Sequence, residues 1–102
     1  MNTGKGSGKP RKFALLQNVP NPFSDSTEIR FRLPRKCMVQ LYIYDKREML
    51  VRILVARMVD AGEHSVIWNG KSNDDESIPE GIYVLKMTAA EYEQKRKLVL
   101  IR

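Results

Sequence analysis

Thr27-Glu28-Ile29-Arg30-Phe31-Arg32-Leu33 alternates apolar and polar side chains without a break. A side-chain period of two sends Ile29, Phe31 and Leu33 to one face and Glu28, Arg30 and Arg32 to the other, which is the pattern of a half-buried antiparallel strand. Pro34-Arg35-Lys36 ends it, since proline has no amide hydrogen for a ladder. Cys37 to Tyr44 resumes the alternation, with Val39, Leu41 and Ile43 on a common face. Asp45 to Glu48 is polar and reads as a turn, and Met49 to Met58 reads as the next strand. Leu50, Ile53, Leu54 and Met58 in that segment also fit a helical stripe, but the β-branched residues and the strands on either side favour extended chain.

Outward from this centre the signals repeat. Asp60-Ala61-Gly62 predicts a turn and Glu63 to Trp68 a strand with Val66 and Trp68 inward; Asn69-Gly70 closes it, and Lys71 to Glu80 suits only loop or hairpin. Gly81 to Thr88 and Gln94 to Ile101 form a last pair joined by Ala89 to Glu93. With a short extended piece near Leu15, the total is about seven strands with turns roughly every 8 to 12 residues, the spacing of a two-sheet sandwich. The expected fold is therefore all-β, an immunoglobulin-like antiparallel sandwich over residues 13–102 with Trp68 as core anchor. Residues 1–12 hold three glycines, a serine and a proline with almost nothing apolar, and read as a flexible basic tail.

At 102 residues the chain suits one domain with one core, and a charged fraction of 29% is that of a soluble globular protein. The apolar runs Phe13 to Leu16 and Ile53 to Ala56 fall far short of the about 20 residues of a spanning helix. The single cysteine, Cys37, allows no internal disulfide, so a reducing, cytoplasmic setting is expected. Net charge is +6, of which Lys5, Lys9, Arg11 and Lys12 supply +4 before the domain begins. Lys95, Arg96, Lys97 and Arg102 form a second basic cluster near the other end. Such ends suit an acidic protein surface, nucleic acid or anionic headgroups.

Several stretches resemble one family. Leu16-Gln17-Asn18-Val19-Pro20-Asn21-Pro22-Phe23, followed by Ser26 to Phe31, is similar to the entry of the C-terminal sorting domain of the type IX (Por) secretion system and of the related immunoglobulin-like domain of the flagellar hook-capping protein. Val39 to Asp45, Ala61-Gly62-Glu63-His64, Val66 to Gly70, Gly81-Ile82-Tyr83 and Lys97 to Arg102 follow in the family's order, so the resemblance covers residues 15–102. It implies a sandwich that binds or sorts rather than catalyses. Two glycine positions depart from the pattern, with Glu48 after the Tyr-Asp pair and Asp74-Asp75 at the Asn-Gly hairpin tip, so those turns are expected to differ in geometry. The usual sorting domain ends an exported cargo that begins with a signal peptide, whereas here twelve hydrophilic residues precede the domain, so a stand-alone role is expected.

The physics of the landmarks is structural. Pro20 and Pro22 fix φ and hold their neighbours extended, so Asn18 to Pro22 should run as a stiff edge piece, with Asn18 and Asn21 bonded to nearby backbone. Gly62 and Gly81 suit positions of positive φ or close approach, and Phe31, Trp68 and Tyr83 belong to the core side. The Lys-rich glycine segment fails as a phosphate loop, because that motif needs glycine at Thr3 and serine or threonine at Pro10. His64 has no nucleophile at a recognisable spacing and reads as a rim residue; Cys37 reads as a small apolar residue. Asn73-Asp74-Asp75-Glu76 offers oxygens for calcium but lacks the spacing of a dedicated loop. Nucleic-acid binding is opposed by the inward placement of Phe31 and Trp68.

No catalytic residue, cofactor or metal is expected. The expected role is a non-catalytic accessory subunit that docks on an acidic surface of a larger assembly through its sandwich, its tail (Lys5, Lys9, Arg11, Lys12) and the cluster Lys95, Arg96, Lys97 and Arg102. One form of that assembly is a membrane complex such as a photosynthetic reaction centre, with the chain peripheral on its cytoplasmic side. A type IX sorting module and a nucleic-acid-binding β domain are the alternatives.

Overall fold

A computed structural model describes residues 10–102, and no described residue is helical. Seven strands appear in order: β1 (Ala14–Leu15), β2 (Thr27–Leu33), β3 (Cys37–Tyr44), β4 (Leu50–Val59), β5 (Gly62–Trp68), β6 (Gly81–Ala89) and β7 (Tyr92–Leu100). They make a three-stranded sheet in the order β1-β2-β5 and a four-stranded sheet in the order β4-β3-β6-β7, all pairs antiparallel. The immunoglobulin-like sandwich read from the sequence is the fold observed. In the segment Met49 to Met58, where a helical stripe competed, the chain is strand from Leu50 onward. The predicted basic tail lies mostly outside the described residues.

The alternation sets the interior. Ile29, Phe31 and Leu33 of β2 meet Val39, Leu41 and Ile43 of β3 and Tyr83, Leu85 and Met87 of β6 across a dry layer in which all are buried. Trp68 is fully buried, contacts the Phe23 ring (centroids 5.4 Å) and the Tyr83 ring edge-on (5.9 Å), and donates its indole N–H to the Lys71 carbonyl at 3.0 Å. Tyr83 in turn donates its hydroxyl to the Pro79 carbonyl four residues upstream, the tyrosine corner found in sandwiches of this kind.

The Asn18–Phe23 segment forms isolated bridges rather than a ladder, Val19 with Glu28 and Phe23 with Leu100. Asn18 is buried, and its amide nitrogen donates to Thr27 Oγ1 (2.9 Å) and to the Pro20 carbonyl (3.1 Å). The Thr27 hydroxyl in turn donates a hydrogen bond to the same Pro20 carbonyl at 2.8 Å. Asn21 Oδ1 accepts from the Val99 amide at 2.9 Å, which ties the segment to β7. Pro20 and Pro22 are exposed beside these contacts.

Gly62 (φ 132°) and Gly81 (φ 149°) sit where strands begin with positive φ; the space around Gly81 is open, so conformation rather than crowding favours glycine. At the two turns where glycine is wanting, the residues in its place adopt left-handed backbone, Glu48 at φ 65° and Asp75 at φ 63°. Asp45 holds the first of them: its Oδ1 accepts the Arg47 and Met49 amides, each at 2.9 Å, and these bonds keep its carboxyl below the usual range.

Two outcomes follow from this packing. Glu48→Gly relieves the left-handed strain and stabilises the domain by about 1 kcal/mol, raising the thermal midpoint by roughly 4–8 °C in a melting curve. Asn18→Ala removes the two bonds that its amide donates, to Thr27 Oγ1 and to the Pro20 carbonyl, and costs about 2 kcal/mol in denaturant unfolding.

Candidate docking face

The residues weighed for chemistry do not converge. His64 is half-buried and stacked on Phe31 (5.4 Å between centroids), with Nε2 2.7 Å from the Asp60 carbonyl. Cys37 is buried on β3, and burial pushes its thiol pKa up, away from thiolate reactivity. Asn73 spends its side chain on β4, accepting the Ile53 amide at 2.9 Å, and Ser72 Oγ accepts the amides of Asp74 and Glu76. Among the described residues no three His, Cys, Asp or Glu side chains gather as metal ligands.

The basic residues separate into two groups. Arg96 points to the core side of β7 and its Nε donates to the Leu15 carbonyl at 2.9 Å, clipping β1 to β7. Arg102 donates to the carbonyls of Ile78 (2.9 Å) and Gly70 (3.2 Å) and clips the end of the chain to the Gly70–Glu80 loop. Both guanidinium groups therefore close internal seams. Lys95 and Lys97 lie on the outer side of β7, exposed, and form no ion pair among the described residues. Arg11 and Lys12 are exposed at the entry to β1, and Lys5 and Lys9 lie outside the described residues.

The two outer faces differ. On the three-stranded sheet, Arg30 and Arg32 share one carboxylate, Glu63, at 3.6 and 3.5 Å, and a single isoleucine, Ile67, lies exposed opposite Glu28. On the four-stranded sheet the registers set out rows across the strands. One row runs Ile53, Tyr42, Lys86, Lys95, and the next runs Leu50, Tyr44, Val84, Lys97. Met58 opposite Met38 extends the aliphatic side. Met58 (53% exposed), Met38 (51%), Leu50 (45%) and Ile53 (39%) form an open apolar stripe along β3 and β4, interrupted by Gln40 opposite Ala56, beside Lys86, Lys95 and Lys97 on β6 and β7, where Val84 and Ile82 also face outward. Lys86 pairs with Glu93 at 3.0 Å, and Lys95 and Lys97 form no ion pair among the described residues.

Sequence reasoning singled out Lys95 and Lys97 but missed the apolar stripe. The cause is visible in β4, where register shifts leave Leu54 and Val51 unpaired opposite β3 and turn Ile53 and Leu50 outward. A simple alternation has no way to register those shifts. The lysines and tyrosines also meet only through strands far apart in sequence. Exposed apolar side chains grouped on one face make that face a candidate interaction surface. Accordingly, Ile53→Thr and Met58→Thr should each change folding stability by no more than about 0.5 kcal/mol, whereas Val55→Ala on the inner side of the same strand should cost about 2 kcal/mol, as read from paired denaturant curves.

Comparison with known proteins places this arrangement. The model of the FlgD Ig-like domain matches residues 18–93. Dimeric latent PorU from Porphyromonas gingivalis resembles the chain with a TM-score of 0.68 at 18% identity, over 85% of this chain and 9% of that one. FlgD from Xanthomonas campestris, described with hook capping in flagellar assembly, gives a TM-score of 0.59 at 22% identity over 85% of this chain and 64% of its own. PorZ of P. gingivalis, described as a surface component of the type IX secretion system, gives 0.59 at 18% identity over 95% of this chain and 13% of its own. The chain thus spans less than two thirds of each of these structures, and such identities establish likeness of fold. No curated protein sequence matches. With the family model covering most of its strands, the chain belongs to the FlgD Ig-like domain family.

Proposed function

We propose that this domain is a non-catalytic docking module of a larger protein assembly, and that the outer face of the four-stranded sheet is its contact surface. The observation that carries the reading is the apolar stripe of Leu50, Ile53, Met38 and Met58, exposed on a sheet whose inner face alone supplies the core. Burying such a stripe is favourable by roughly 25 cal/mol per Å² of apolar area, and within the described residues nothing covers it. Structural relatives that belong to the flagellar hook cap and the type IX secretion system support protein partners. They leave the photosynthetic complex considered from the sequence without support. The acidic character of the partner surface is part of the proposal, resting on Lys95 and Lys97 rather than on Arg96 or Arg102. The tail lysines Lys5 and Lys9, with Arg11 and Lys12, are proposed to add long-range attraction.

A second reading, a sorting or anchoring module for type IX secretion, is favoured by the likeness to segments that make up only 9% of PorU and 13% of PorZ, as expected of a detachable unit. Fusion of the chain to an exported reporter in a type IX-competent strain tests it: surface display is expected if it holds, and periplasmic retention rejects it.

For the docking module, a photo-cross-linking amino acid at position 53 in native cells is expected to give an adduct with another polypeptide, while the same residue at position 65 on the opposite face gives none. Equal yields at both positions, or no adduct at 53, would reject docking through this face.

A further inference from the structure

We infer that the outer face of the four-stranded sheet seats an amphipathic α-helix of the partner protein, laid along β3 and β4 with an acidic flank over β6 and β7. The inference deepens the docking reading above and rests on it. Its basis is the direction of the two stripes. Met58, Met38, Ile53 and Leu50, with Tyr42 and Tyr44, lie on β3 and β4 and are interrupted by Gln40 opposite Ala56, while Lys86, Lys95 and Lys97 lie on β6 and β7 among Thr88, Val84 and Ile82, so the lysine cluster flanks the apolar side along the strand direction.

An extended partner segment alternates its side chains up and down and sets only one row against a face, so it has no second row of different chemistry beside the first. A helix does, because its stripes run along its axis. The dimensions agree. Strands about 4.8 Å apart make the four-stranded face about 14 Å across, against a helix roughly 10 Å wide. Leu50 and Met58 face Tyr44 and Met38 on β3, six residues apart, so the stretch extends about 20 Å at ~3.3 Å per residue, which a helix of about 13 residues spans.

Edge pairing is the competing way for a sheet to take a partner, and the structure blocks part of it. Asn73 accepts the Ile53 amide and donates its own amide to the Val51 carbonyl, both at 2.9 Å, so the start of the β4 edge is already occupied. The register shifts in β4 disturb the ladder further. The start of this edge is therefore closed to a partner strand, which favours the face.

Charge selects the flank. Among the described residues Lys95 and Lys97 have no carboxylate partner, and a partner glutamate row over them would gain two ion pairs. A second copy of a +6 chain would bring lysine to lysine. A nucleic-acid strand would match Tyr42, Tyr44 and the lysines but would leave Leu50, Ile53, Met38 and Met58 against phosphate or water.

The test uses the full chain, labelled with nitrogen-15, and a synthetic 18-residue helical peptide with leucines at i, i+3, i+4 and i+7 and glutamates on one flank. Saturable amide shifts are expected at Tyr42, Ile53, Lys86 and Lys97, with Arg30 and Ser65 unmoved. The double variant Lys95→Glu, Lys97→Glu is expected to weaken binding by about tenfold, and Ile53→Ser to weaken it separately, with unchanged core resonances as the folding control. Equal binding of a peptide carrying lysine for glutamate, absence of saturation, or tighter binding at this face of a single-stranded oligonucleotide, a phosphatidylglycerol vesicle or a second copy would each overturn the helix. Cross-links at position 53 without peptide binding would leave docking intact and reject only the helical partner; loss of both would remove the docking reading as well.

Discussion

Trp68 stands at the end of β5 on the three-stranded sheet, and its ring meets Phe23 of the entry segment and Tyr83 of the four-stranded sheet. Three parts of the chain far apart in sequence thus share one buried contact, and the indole N–H finds the Lys71 carbonyl so that no polar atom is stranded. The register of the sandwich is coupled to this contact. A one-residue slip of β5 against β2 would turn Trp68 outward and leave Phe23 and Tyr83 without a partner. Gly62 at the start of β5 and Gly81 two residues before Tyr83 supply the positive φ that lets both strands arrive in register.

Around that contact the polar groups are placed to close seams rather than to react. Asn18 and Thr27 satisfy the Pro20 carbonyl, Asn21 binds β7, and the guanidinium groups of Arg96 and Arg102 take carbonyls that lie outside the ladders. The interior is consequently complete without any contribution from the outer side of β3 and β4. That independence is the physical ground for assigning the outer side to a partner, since a stripe of methionine, leucine and isoleucine there adds nothing to the core it backs.

The sandwich was legible because Ile29, Phe31 and Leu33, like Val39, Leu41 and Ile43, alternate strictly, and strict alternation has one structural meaning. Glu48 and Asp75 were harder: glycine's absence suggested altered turns, yet Asp45 accepts two amides and holds Glu48 in the left-handed region regardless of its side chain. Arg96 and Lys97 are adjacent and alike in charge, but a strand sends them to opposite sides, one to the Leu15 carbonyl and one to solvent. The apolar stripe was illegible because it depends on two register shifts in β4 and on neighbours brought together by β3 and β6, which are separated by more than thirty residues of sequence.

Methionine oxidation reads core and face together. Met87 is fully buried, while Met38 and Met58 are about half exposed on the outer stripe. Under brief peroxide treatment followed by peptide mass spectrometry, the free chain is predicted to oxidise at Met38 and Met58 and to spare Met87, and in the native assembly Met38 and Met58 become protected while Met87 is unchanged. Oxidation of Met87 as fast as Met38 in the free chain would contradict the dry interior, and undiminished oxidation of Met38 and Met58 in the assembly would contradict a partner on this face.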